Sequence, residues 1–317
     1  MVKVVRLFQL GESEVRVSAS KQWGWVGVGF AIAAFLTGCA GDDGSGSGLE
    51  CSGGTCKPAA GSAITEETGS NWTVVDSDVG LSWSAYNSGR LALFAGGNGL
   101  EVLVGSKDRG VAAYTSSNGS DWKQLSSDVG IAWSAYDDGQ LTVYRHGGKL
   151  YALAGDKERA VACYTSGDGK TWTKAGADVQ LTWSAYSDGV LAAFSHAGVM
   201  WALAGDKNRP VAVYRSADCL KWDKVTADAG IQWSAYNDGQ LTAFSHAGAM
   251  WVLAGDKDRP VHTFASTDGE NWALWNEDDH ITWSAYDDGV MAGTSFNGAM
   301  WVLAGDKDRP VKLYTSR

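Results

Sequence analysis

The sequence predicts an all-β fold, a five-bladed β-propeller with four antiparallel strands per blade, and three observations predict it. First, from Trp72 onward the chain repeats itself every fifty residues without insertion. Trp-Ser-Ala-Tyr begins at Trp83, Trp133, Trp183, Trp233 and Trp283, and a second tryptophan recurs at Trp72, Trp122, Trp172, Trp222 and Trp272. Second, each period holds four short segments rich in apolar, aromatic and β-branched residues and bounded by glycine, as at 240–244, 250–254, 261–266 and 271–275. Helix is disfavoured because a glycine every eight to ten residues costs a helix interior roughly 1 kcal/mol each. Third, the last repeat stops at Arg317, where every earlier one continues into a tryptophan strand, and that missing strand stands at residues 71–75, ahead of the first Trp-Ser-Ala-Tyr. Joining the two ends closes a ring of five blades and leaves no unpaired edge between first and last.

The residues before the repeats divide in two. Basic residues through Lys21 precede an apolar run over 23–36 that ends in Leu36-Thr37-Gly38-Cys39. That pattern resembles a bacterial lipobox, which implies that residues 1–38 are a lipoprotein signal peptide and that Cys39 is lipidated as the mature N-terminus. A transmembrane anchor is the competing reading, but the run is shorter than the roughly 20 apolar residues needed to span a bilayer. Ala40 after the cysteine implies, by the same resemblance, release to an outer membrane, facing the periplasm or the surface. The membrane is then a partner through the anchor. Residues 39–69, rich in Gly, Ser and acids, are expected to form a flexible tether, and 70–317 the propeller.

Of 317 residues, 44% are apolar and 20% charged, which excludes wholesale disorder. The formal net charge is −10. Residues 1–38 carry Lys3, Arg6, Arg16 and Lys21 against Glu12 and Glu14, so the remainder is more acidic still. That argues against a nucleic-acid partner, which needs a basic face. Cys51 and Cys56 suit a small disulfide loop in an oxidising compartment, whereas Cys163 and Cys219 have no obvious partner in the sequence.

The consensus Trp-Ser-Ala-Tyr-x-Asp-Gly, a six-residue strand, Gly-x-Met-Trp-x-Leu-Ala-Gly and Ser-x-Asp-Gly-x-x-Trp resembles the kelch-type repeats of galactose-oxidase-like propellers, over residues 70–317. The segments Ser166 to Trp172 and Ser266 to Trp272 also resemble a shortened sialidase Asp-box, which implies that Asp168, Asp218 and Asp268 cap their own turns. A single glycine stands at Gly155, Gly205 and Gly255, where kelch repeats usually carry a pair.

Because strands in a blade alternate direction, the Trp-Ser-Ala-Tyr-x-Asp-Gly segments and the Gly-Asp-Lys-x-Arg loops must share one face around the channel. The candidate binding residues lie there: Tyr86, Tyr136, Tyr186, Tyr236 and Tyr286 as stacking platforms; Asp138, Asp188, Asp238 and Asp288 as polar partners; and the pairs Lys157/Arg159, Lys207/Arg209, Lys257/Arg259 and Lys307/Arg309 as anion contacts. The competing role of each basic pair is to hold its own loop against Asp256, Asp258 and their equivalents. The Trp-Ser-Ala-Tyr tryptophans are expected to wedge between blades, and His146, His196 and His246 to be solvated turn residues.

No copper cluster, nucleophile elbow or zinc-protease motif is present, so no cofactor, metal or catalytic residue is expected. The likeness among blades favours a non-catalytic module that binds a glycan or an envelope protein through repeated sites. The alternatives are a glycosidase- or lyase-like enzyme, which would need an asymmetric cluster of acids at the channel mouth, and a structural scaffold.

Overall fold

The computed structural model describes residues 49–52, 55–58, 64–65 and 68–316, apart from 84–88, 98, 108, 135–137, 186–187, 235–237 and 286–287. Two short strands, β1 (Leu49–Ser52) and β2 (Thr55–Pro58), form a hairpin that sets Cys51 opposite Cys56, and Cys56 is disulfide-bonded. This hairpin lies within the stretch expected as tether, and Leu49 and Ile64 are buried in the core cluster that contains Trp251 and Trp275. Trp275 reaches the same segment, donating from Nε1 to the Thr68 carbonyl at 2.7 Å. The propeller's other blades have Val75, Leu125, Ala175 and Val225 at that repeat position, so the N-terminal segment is tied to the blade that carries a tryptophan there.

Strand β3 (Thr73–Asp76) is followed by four complete blades. They are β4 (Arg90–Ala95) to β7 (Lys123–Ser126), β8 (Gln140–His146) to β11 (Thr173–Gly176), β12 (Val190–His196) to β15 (Asp223–Thr226), and β16 (Gln240–His246) to β19 (Ala273–Asn276). The fifth has β20 (Val290–Phe296), β21 (Ala299–Gly305) and β22 (Lys312–Ser316), and β3 adds as its outermost strand, with Thr315 opposite Thr73 and Tyr314 opposite Val74. The ring therefore closes as the repeat count requires. The closing strand starts at Thr73 rather than at 71 because Trp72 still belongs to the preceding turn, donating from Nε1 to the Gly69 carbonyl.

All five sheets are antiparallel, with the first strand of each blade innermost and in contact with the first strands of both neighbours. Each blade is covered on both faces, so its second strand is buried over most of its length instead of alternating. Leu103, Leu153, Leu203, Leu253 and Leu303 are all 0% exposed. Across the channel wall the amides of Ala193 and Gly293 donate to Thr142 Oγ1 at 3.0 Å and to Thr242 Oγ1 at 2.8 Å, stitching blade to blade.

The Trp-Ser-Ala-Tyr tryptophans do wedge between blades. A Cβ on Gly105 would stand 2.4 Å from the ring of Trp133 in the next blade, and Gly205 and Gly255 meet Trp233 and Trp283 in the same way at 3.2 Å. In these three repeats the glycine is thus fixed by an indole of the next blade, whereas Gly155 and Gly305 are crowded by Val161 and Val311 of their own blades. Similarly, Gly139, Gly189, Gly239 and Gly289 leave room for the Nε1 edge of their own blade's tryptophan.

Two expectations are corrected here. Cys163 and Cys219 are disulfide-bonded to each other, joining β10 of one blade to the outer turn of the next. Cys219 replaces the turn glycine of its sister repeats, at φ +68°, over the neighbouring blade's third strand. The turn histidines are not merely solvated: His146, His196 and His246 share hydrogen bonds through Nδ1 with Ser195, Ser245 and Ser295 of the following blade, at 2.8–2.9 Å. Burial holds the His196 and His246 imidazoles below their ordinary range.

Candidate active site at the channel mouth

The five inner strands start at one end of the channel, and the residues leading into them form two stacked rings. The upper ring is Asp138, Asp188, Asp238 and Asp288, each followed by glycine and each in the left-handed region at φ 50–52°. Aspartate tolerates that conformation better than most residues, which suits the Asp-Gly pair to this turn. The lower ring is Arg90, Gln140, Val190, Gln240 and Val290, the first residues of β4, β8, β12, β16 and β20. Arg90, Gln140, Gln240 and the four aspartates line a single cavity of about 200 Å³. Beneath the lower ring the channel narrows to a cavity of about 40 Å³ between the five inner strands, whose lining includes Thr142 and Thr242.

The predicted lysines reach this mouth. Lys157, Lys207, Lys257 and Lys307 pair with Oδ2 of Asp138, Asp188, Asp238 and Asp288, each within its own blade. The predicted arginines do not. Arg159, Arg209, Arg259 and Arg309 donate from Nη1 to Asp156, Asp206, Asp256 and Asp306 at 2.5–2.6 Å, and those carboxylates are wholly buried and also accept a backbone N–H from their own loop. Each Gly-Asp-Lys-x-Arg loop therefore divides its labour: Asp and Arg shape the loop, and Lys crosses to the channel aspartate. The five tyrosines lie outside the described residues.

On the opposite face Asp168 and Asp218 accept the backbone N–H groups two and three residues ahead, and these bonds hold their carboxyls below the usual range. Asp268 makes the same turn contacts. Among the described residues no group of His, Cys, Asp or Glu is arranged to hold a metal ion.

The residue that sequence reasoning missed is Arg90. It holds the place taken by Gln140, Val190, Gln240 and Val290 in the other blades, and its own blade carries Ser88 where they carry the channel aspartate. Its Nη1 donates to the Gly89 carbonyl at 3.2 Å, while its Nε is buried without a partner. Burial pulls the guanidinium below its ordinary value, against the opposing pull of Asp138 and Asp288 in the flanking blades. Five-fold likeness is thereby broken: two aspartates flank Arg90 and two do not. Comparing the repeats position by position would have singled it out.

No family model matches the chain, and no curated protein matches it. Solved structures do. A GH43_1 enzyme from Xanthomonas citri complexed with xylotriose is 10% identical, with a TM-score of 0.53 over 77% of this chain and 90% of that one. A glycosyl hydrolase from Bacteroides ovatus is 12% identical, with a TM-score of 0.52 over 71% and 82%. A GH130 structure, from a family of mannoside phosphorylases containing glycoside hydrolases that target β-1,2-mannosidic linkages in Candida mannan, is 13% identical, with a TM-score of 0.50 over 71% and 83%.

At these identities the likeness defines the five-bladed propeller fold. It also corrects two expectations. These neighbours are glycoside-hydrolase propellers, not kelch repeats. The non-catalytic module with repeated equivalent sites is not what these neighbours are, and the candidate groups line one central cavity, made asymmetric by Arg90, instead of five separate sites.

Proposed function

We propose that this protein is a glycosidase-like enzyme whose active site is the channel mouth. The observation that carries the reading is the convergence of Asp138, Asp188, Asp238 and Asp288 on one cavity with a single arginine, Arg90, from the blade that has no such aspartate. Hydrolysis of a glycosidic bond needs two carboxyl groups in opposite protonation states, one giving a proton to the leaving oxygen and one acting on the anomeric carbon or on water. A fully symmetric ring cannot distinguish the two. Arg90 breaks that symmetry by position, standing between the blades of Asp138 and Asp288 with Asp188 and Asp238 on the far side. One aspartate from the Arg90 side, Asp138 or Asp288, and one from the far side, Asp188 or Asp238, are assigned the two roles. The cavity lies below the range of about 300–1,000 Å³ typical of sites for drug-sized ligands, which suits a single terminal sugar ring.

Export with lipidation at Cys39 belongs to the same proposal. It is supported by the Leu36–Cys39 pattern and by the Cys163–Cys219 disulfide, a bond that persists in oxidising compartments.

The test is incubation of the purified protein with arabino-, xylo-, manno- and uronate-containing oligosaccharides, with products read by chromatography and the anomer first released read by NMR. Release of terminal monosaccharide with one defined stereochemistry is expected. A folded protein that cleaves nothing in such a panel overturns the reading.

A further inference from the structure

We propose that the floor of the channel mouth recognises the carboxylate of a uronic acid, with Arg90 as its anchor and the carboxamides of Gln140, from the adjacent blade, and Gln240, from across the ring, as further donors. As a statement about substrate it rests on the glycosidase reading; as a statement about binding it stands on its own. The argument begins with charge. Each of the four channel aspartates is matched by a lysine of its own blade, so the acids in the lining are locally neutralised. Arg90 makes no ion pair among the described residues. It spends one donor on Gly89 and leaves Nε buried and unpaired against the cavity.

A guanidinium N–H buried without a partner is costly unless something meets it. Its planar fork matches a carboxylate bidentately. Position adds to this. Arg90 lies in the lower ring, and the two other polar members of that ring, Gln140 and Gln240, bring amide donors to the same cavity. Val190 and Val290 complete the ring and offer nothing to a hydroxyl, so the polar groups of the floor are confined to three of the five blades. A neutral sugar lowered into the mouth would leave the guanidinium unpaired. A uronate would meet it with one negative charge, which is the charge the lining lacks.

Calorimetric titration of the full chain with D-galacturonate and D-glucuronate, beside D-galactose, D-glucose and galactose 6-sulfate, tests this without requiring turnover. Either uronate should bind at least about tenfold more tightly than its neutral counterpart, as a charge-assisted pair implies, with one site per chain. Arg90→Gln should remove that preference and Arg90→Lys should keep part of it, so a folding defect in one variant leaves the other and the wild-type comparison to decide. Equal affinity for uronate and neutral sugar, tighter binding of the sulfate, or a preference that survives Arg90→Gln would overturn the inference. Uronate binding without hydrolysis of any uronide would sink the glycosidase reading and leave the anion site standing. Hydrolysis of neutral glycosides with no uronate preference would do the reverse.

Discussion

The Cys163–Cys219 disulfide offers the sharpest quantitative test of the blade-to-blade account. It closes a loop with a sequence separation of 56 residues, and both cysteines are 0% exposed. In the chain-entropy description, a cross-link over a loop of that length removes roughly 14 cal/mol/K from the unfolded ensemble, or about 4 kcal/mol at 25 °C. The sister repeats supply a substitution that removes the bond without leaving strain. The blade before has Ala113 at the position of Cys163, and the turn over it carries Gly169 where this one has Cys219. Cys163→Ala with Cys219→Gly thus rebuilds a pairing the protein already uses, and glycine accepts the φ of +68° at residue 219 at no steric cost. Urea unfolding of the variant, with and without reductant beside the wild type, should show the variant less stable by about 4 kcal/mol and less responsive to reductant than the wild type, since it keeps only the Cys56 disulfide. A loss below about 1 kcal/mol, or equal responses to reductant, would refute the view that this bond holds adjacent blades together.

Asp279 is buried where sister blades have Val79, Val129, Val179 and Ala229, and desolvation pushes its carboxyl up to about 7 despite bonds from Thr263 and Asn276. The folded state keeps a proton that the unfolded state loses near pH 4, so this residue's contribution is full below about pH 4 and is lost as pH rises through about 7. Asp279→Val should flatten that decline in a pH series of melting temperatures; an unchanged slope would contradict it. His196 and His246 act in the opposite sense, because their lowered values mean that the unfolded state binds protons first and stability falls as pH drops below about 6.5. Replacing both with glutamine should remove that acid loss in the same series. Gly139→Ala would put a Cβ 2.2 Å from Trp133 Nε1 and 2.6 Å from the Ser134 carbonyl, and should cost about 1–3 kcal/mol or more in chemical denaturation. Gly167→Ala, with nothing within 4 Å, should change stability by less than about 0.5 kcal/mol.

The ring was legible in the sequence because a strict period reports the blade, and because a strand missing from one end and present at the other reports closure. Half of the candidate site was legible for the same reason. Asp138, Asp188, Asp238 and Asp288 stand at one repeat position, as do Lys157, Lys207, Lys257 and Lys307, and strand alternation sets both on one face. Repetition hid the rest. Averaging the repeats into a consensus discards the departures from it, and those departures carry the asymmetry: Arg90 among glutamines and valines, Asp279 among valines and an alanine, Cys219 among glycines. The cysteine pairing escaped for a related reason. A separation of one period plus six residues signifies adjacency only once blades are known to stack so that the outer turn of one covers the third strand of the last. The roles of the Gly-Asp-Lys-x-Arg loops needed coordinates, since spacing alone cannot show that Arg259 folds back on Asp256 while Lys257 reaches Asp238.

The central claim, a single asymmetric site for glycoside hydrolysis at the channel mouth, is tested most directly by comparing four variants on whichever oligosaccharide the wild type cleaves. Asp188→Asn, Asp238→Asn, Asp138→Asn and Asp288→Asn should differ sharply. One variant from each side of the cavity should lose about a hundredfold or more in kcat, as general acid–base roles imply, while the remaining two retain most activity and all four keep the wild-type melting profile. Equal, partial losses in all four would mean that the blades act as equivalents, and would contradict the account.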